Sequence, residues 1–167
     1  MTHRRSASRT TVVQARPEAV FRHLDDPKTL GAHMEKPSIM MLGPTMKYDL
    51  NEAGGRSVGS VIKMTGSIFG FKMYLEEVVI VRLPPLRKTW ETRGPIRLLV
   101  VGAYRMGFRI KPCASGCMVT VQIDYDLPDG LLGRILGSIF GRSYANWCVG
   151  TIAAEADALG SRLTRTA

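Results

Sequence analysis

Two phenols are the first candidates for chemistry in this chain. Tyr104 and Tyr125 stand on the apolar rows of two neighbouring strand-like segments. A phenol carried into an apolar layer needs a hydrogen-bond partner, from Trp90, Thr92, the backbone or a ligand carbonyl. They read either as core tyrosines satisfied by backbone or as polar anchors for a guest molecule. His33 falls near the end of a short predicted helix, where an imidazole titrating near neutral pH would suit proton transfer or simply end the helix. Glu155 lies near the inner stripe of the last helix, whereas Asp124 and Asp126 occupy a wet strand face, so no two carboxylates converge on paired acid–base work. His3, His23 and His33 lack metal-ligand spacing, and Cys113 and Cys117 flank a hairpin with no second pair to complete a zinc site, so no metal is expected. Gly54-Gly55 opens no helix and lacks the order of a dinucleotide loop, and no cofactor is expected. There is no nucleophile elbow, and no histidine is placed in sequence to activate Cys148. No residue is therefore assigned a catalytic role.

The chain has 167 residues with 23 Lys and Arg against 14 Asp and Glu, a formal charge of +9. The positive residues are scattered and not interleaved with aromatics in a run, which argues against specific nucleic-acid recognition and leaves transient contact with an anionic membrane or an acidic partner. Three cysteines make an odd set, and no apolar segment follows the Arg4-Arg5 pair, so a reducing cytoplasm is the expected location. The charge-free stretch from Ser143 to Ala154 is too short to span a bilayer.

The elements that must position these groups follow from periodicity and punctuation. Residues 1–9 read as a flexible basic tail and residues 10–167 as one domain. Thr10 to Ala15 is a β-branched strand, Pro17 starts a helix carrying Val20, Phe21 and Leu24, and Asp25-Asp26-Pro27 breaks it before a second short helix ending near Met34. Beyond Pro37, breaks at 51–55, 66–70, 83–86, 93–95 and 112–116 delimit six strands. In the fifth of these Val100, Tyr104, Met106, Phe108 and Ile110 share a face opposite Arg105 and Arg109. In the sixth Cys117, Val119, Val121, Ile123, Tyr125 and Leu127 oppose Thr120, Gln122, Asp124 and Asp126. One face is apolar and the other wet, as in an antiparallel sheet covered on one side.

The cover is a long helix from about Gly130 to Leu163, with the stripe Tyr144, Cys148, Ile152, Ala156, Leu159 and Leu163, and Trp147 and Thr151 beside it. Gly150 and Gly160 weaken it. Gly133, Gly137 and Gly141 recur at intervals of four, interleaved with Leu132, Ile135, Leu136, Ile139 and Phe140, a pattern suited to close packing or to a movable gate.

This order, β-α-α-β6-α, resembles the helix-grip fold of the SRPBCC or START-like (Bet v 1-like) superfamily, which includes polyketide cyclases and dehydratases, coenzyme Q-binding proteins and lipid-transfer domains. The resemblance rests on Val12 to Pro27, VVQARPEAVFRHLDDP, and on Leu127 to Leu163 with Leu132-Gly133-Arg134, Gly141-Arg142 and Tyr144-Ala145-Asn146-Trp147. It implies an α+β fold in which a curved antiparallel sheet of six to seven strands wraps the terminal helix and leaves an elongated apolar cavity. The expected function is binding of a hydrophobic small molecule, a lipid, isoprenoid or polyketide-like compound. Its expected wall comprises Met64, Trp90, Tyr104, Met106, Phe108, Ile123, Tyr125, Tyr144, Trp147, Cys148 and Thr151, with Met40, Met41, Met46 and Met73 as further adaptable surface. Two alternatives stand beside it. One is a cyclase or dehydratase moving a proton through a tyrosine or His33, and the other is a protein-interaction or co-chaperone-like module. The oligomeric state, monomer or homodimer, is left open.

Overall fold

The computed structural model describes residues 3–26, 47–50, 54–68 and 71–166. Its elements run β1 (Arg5–Val13), α1 (Pro17–Asp25), β2 (Lys47–Leu50), β3 (Val61–Ile68), β4 (Phe71–Leu83), β5 (Arg87–Arg97), β6 (Tyr104–Cys113), β7 (Gly116–Tyr125) and α2 (Leu131–Thr166). The predicted second short helix, His33, Met40, Met41 and Met46 lie outside the described residues. All strand pairs are antiparallel, in one sheet of order β1-β7-β6-β5-β4-β3-β2. The first strand therefore joins the last, in register from Arg5 opposite Tyr125 to Val13 opposite Cys117.

That pairing corrects the reading of residues 1–9 as a flexible tail. β1 begins at Arg5, five residues before the expected Thr10, because Ser6, Ser8 and Thr10 continue an outward polar row that β7 can pair. Just before it, His3 Nδ1 lies 2.9 Å from Asp126 and the Arg4 amide donates to the same carboxylate at 3.0 Å. Arginines suit such a sheet edge, since charge discourages a further strand from adding.

The expected break at Arg93 to Pro95 is likewise not a turn. β5 continues through it, and the register against β4 slips between Tyr74–Arg97 and Glu76–Arg93. Gly94 takes φ +68°, where a side chain would be strained, and Pro95 needs no ladder partner at such an irregularity. The interruption falls later, so Val100 precedes β6 instead of belonging to it.

Alternation along β6 and β7 places Tyr104, Met106, Phe108, Ile110, Cys117, Val119, Val121, Ile123 and Tyr125 in the core, with Arg105, Arg109, Thr120, Gln122 and Asp124 on the outer face. α2 lies over β1 and β7 and against α1. Its buried face is broader than the expected stripe, because small residues at Ala145, Ala153 and Ala156, together with Val149, let the helix approach closely. Leu163, expected in that stripe, is 43 % exposed. Gly160 already sits on Val13 and Gln14 where β1 ends, so the next turn has run past the sheet.

The glycine row at the start of α2 is a close-packed seat. A Cβ at Gly137 would stand 2.8 Å from Pro128 Cδ, 2.9 Å from Leu127 Cδ2 and 3.0 Å from the Val100 carbonyl; one at Gly141 would stand 2.9 Å from that carbonyl. With the glycines facing inward, helical geometry turns Leu131, Leu132, Ile135 and Ile139 to solvent, and they are 49 to 79 % exposed.

Candidate functional site

The inner row of β4 reads Met73, Leu75, Glu77 and Val79, and all four are buried. A carboxyl thus stands where the pattern of its neighbours calls for an aliphatic residue. Tyr104 on β6 donates its phenolic O–H to Glu77 Oε1, and the Trp90 indole on β5 also hydrogen-bonds this carboxyl. Thr92 holds the Tyr104 backbone from the adjacent strand, its Oγ1 accepting the Tyr104 amide at 3.1 Å and donating to the Tyr104 carbonyl at 3.3 Å. From α2, Cys148 and Tyr144 face the same cluster, and Tyr144 hydrogen-bonds Cys148.

Burial dominates the electrostatics here. It pushes the Glu77 carboxyl up to about 7, against the lowering effect of the bonds from Tyr104 and Trp90 and of the Lys88 charge. Burial, then the neighbouring Glu77 charge, raises the Tyr104 phenol well above its usual range, so it remains a donor at neutral pH. Burial also pushes the Cys148 thiol up to about 12, which makes it an inert core thiol and not a nucleophile. The arrangement offers one group, Glu77, able to give or take a proton near neutrality, held by two fixed donors.

A second polar cluster ties α1 to the sheet. Lys88, only 2 % exposed, donates to Asp25 Oδ1 at 2.8 Å and to the Asp25 carbonyl at 2.9 Å. Arg82 adds a bond to Asp25 Oδ2 at 2.8 Å and lies over the Phe21 ring, 5.5 Å from its centroid. A register shift between Val79 and Val81 re-aims the strand so that Arg82 sits opposite Lys88. Burial alone would raise the Asp25 carboxyl, but the two cations hold it below its usual value; burial lowers Lys88. Phe21, Phe108 and Trp90 stack edge-on at 5.6 and 6.4 Å between this cluster and Glu77.

Of the eleven residues expected to line a cavity, Met64, Trp90, Tyr104, Met106, Phe108, Ile123, Tyr125 and Cys148 belong to one buried cluster, with Tyr144 and Trp147 packed against it. Met64, Phe108, Ile123 and Tyr125 are at most 2 % exposed and act as core filling. Tyr144 and Trp147, with ring centroids 5.8 Å apart, are only partly buried, as are Ile96, Leu98 and Leu99. Thr151 is half-buried, and its hydroxyl returns to the Trp147 carbonyl of its own helix at 2.9 Å. Sequence reading missed Glu77, although the alternation Met73, Leu75, Val79 around it was the available sign. It also missed Asp25, Arg82 and Lys88, for which the register shift left none. Among the described residues no three His, Cys, Asp or Glu side chains gather as a metal site, and no helix is long and apolar enough to cross a membrane.

No family model matches this chain, and no curated protein matches it. Solved structures do. A structural-genomics protein from Chromobacterium violaceum is 20% identical with a TM-score of 0.60, covering 93% of this chain and 96% of its own. A Thermus thermophilus protein is 15% identical with a TM-score of 0.63 over 95% and 97%. The chain has the Bet v 1-like helix-grip fold. A further helix-grip structure, norcoclaurine synthase of Thalictrum flavum in complex with a transition-state analogue, is 14% identical with a TM-score of 0.63, covering 96% of each chain.

Proposed function

We propose that this helix-grip protein binds a hydrophobic small molecule between the sheet and α2, with Glu77, Tyr104 and Trp90 as its polar anchor. The reading is carried by Glu77: a carboxyl in an otherwise apolar layer costs stability when ionised, and a ligand hydroxyl, carbonyl or amine offers the partner that offsets it. The contacts available without displacing core side chains are the half-buried Tyr144, Trp147, Ile96, Leu98 and Leu99. Deeper residues from the expected wall, such as Met64 and Met106, would meet the guest as they move aside. Burying 300 Å² of apolar surface would contribute on the order of 7 kcal/mol before ordering costs. The exposed Leu131, Ile135, Ile139 and Phe140, beside Arg134 and Arg142, support transient contact with an anionic membrane as the source of the guest.

Native mass spectrometry of gently purified protein, together with titration of N-phenyl-1-naphthylamine, tests this. A co-purified small molecule and probe uptake displaced by it are expected. Absence of both would remove the proposal.

A second reading is favoured by the same cluster. The helix grip hosts a synthase among its solved examples, and a carboxyl titrating near pH 7 against a tyrosine suits a cyclase or dehydratase acting on a carbonyl substrate. Turnover lost in Glu77→Gln and in Tyr104→Phe, with probe binding kept, would select the enzyme. Binding with no turnover of poly-carbonyl substrates selects the carrier.

A further inference from the structure

The outer face of the sheet carries a feature that the proposed interior site does not use. Arg87 on β5 and Arg109 on β6 are direct cross-strand partners. Like charges placed opposite one another on neighbouring strands repel. Among the described residues no carboxylate pairs with either. The Arg87 Nε donates to the hydroxyl of Thr89 at 3.3 Å, and Arg109 is exposed, with no ion pair among the described residues. The nearby acids are engaged: Glu91 takes both Nε and Nη2 of Arg105, at 2.9 and 2.7 Å, and Asp124 accepts from the Gln122 amide at 2.9 and 3.1 Å.

The surface between these groups is concave. Gly107 stands in register between Thr89 and Gln122, and a Cβ there would lie 2.5 Å from the Lys88 carbonyl and 3.0 Å from Thr89 Oγ1. Glycine is needed for that close strand approach, and the missing side chain leaves a groove of about 240 Å³. Its lining includes Arg87, Arg105, Arg109, Thr89, Thr120 and Asp124. With Arg105 balanced by Glu91, two guanidiniums face one carboxylate. Asp124 is in register with Arg105, while Arg87, Arg109 and Thr120 form the opposite, cationic end.

We propose that this end of the groove binds a phosphate group. Two guanidiniums presented side by side match the oxygen geometry of phosphate, and a bound dianion converts their mutual repulsion into attraction. The buried Thr89 hydroxyl, already accepting from Arg87, is free to donate to a phosphate oxygen. The same chemistry is found on a free phosphate compound and on a lipid headgroup.

The test uses the full chain with inorganic pyrophosphate, followed by calorimetry and by backbone amide shifts, and with phosphatidylcholine vesicles containing phosphatidic acid, followed by flotation. Saturable pyrophosphate binding that moves the Gly107 and Gln122 amides is expected. Arg87→Gln with Arg109→Gln should weaken it at least tenfold, whereas Arg93→Gln with Arg97→Gln, an equal charge loss at exposed positions elsewhere, should change it less than twofold. Flotation lost only in the first double variant supports a headgroup as the phosphate source; pyrophosphate binding without flotation supports a free one. Equal weakening in both double variants, shifts confined to other regions, or no binding of either probe by the wild-type chain would overturn the proposal.

Discussion

Replacing Glu77 with Gln exchanges the cluster's carboxyl for an amide while keeping its shape and an acceptor for Tyr104. The carboxyl titrates at about 7 in the folded protein against an ordinary value of 4.5. Its folded value is raised, so the associated stability is fully present below pH 4.5 and is lost as pH rises through 7. Between those limits the native state holds one more proton than the unfolded chain, and stability falls by about 1.4 kcal/mol per pH unit, roughly 3 kcal/mol in all. Glu77→Gln carries no such slope. Urea denaturation followed by tryptophan fluorescence, at intervals from pH 5 to 8.5, measures the difference between the two proteins, which cancels contributions from groups they share. That difference should shift by roughly 3 kcal/mol in favour of the variant as pH rises. A difference flat to within about 1 kcal/mol, or one moving the other way, would refute the assignment of Glu77 as a desolvated carboxyl.

Asp25→Asn leaves Lys88 charged and buried without its counterion, and urea denaturation near neutral pH should show a loss of about 3–5 kcal/mol. Because the Asp25 carboxyl is held low, its contribution is present above the ordinary carboxylate range and disappears as pH falls through the folded value, so the variant should lack part of the wild-type acid limb. Two glycines of α2 should respond oppositely to alanine. Gly150 has open space around it and should gain up to about 1 kcal/mol. Gly137, pressed on Pro128, Leu127 and Val100, should lose about 1–3 kcal/mol, with thermal melting as the readout. Ile139→Glu with Phe140→Glu should reduce flotation with anionic vesicles severalfold while leaving stability within about 0.5 kcal/mol per substitution. Unchanged flotation would remove membrane contact from the first turns of α2.

Where the chain alternates cleanly, its own residues dictated the outcome. Tyr104 to Ile110 and Cys117 to Tyr125 place every second side chain inward because a strand has a period of two, and nothing beyond the local pattern is needed to know which face is buried. The central part of the long C-terminal helix was legible from the spacing of four that joins Tyr144, Cys148, Ile152 and Ala156, all of them buried or partly buried. The extent of β1 was not, because Arg5 to Arg9 lacks hydrophobic patterning and becomes a strand through the ladder that β7 offers. Nor was the continuation of β5 through Gly94-Pro95, where the same residues that make a turn also make a strand irregularity. The polar clusters depended most on tertiary structure. Tyr104 could be expected to need a partner, but that the partner is Glu77 follows from sheet order, which sets a β4 carboxyl within reach of a β6 phenol across β5. Asp25 meets Arg82 and Lys88 only because a register shift changes which face of β4 looks inward. Local periodicity records which side chains leave water; it holds no information about which of them meet once the strands are laid side by side.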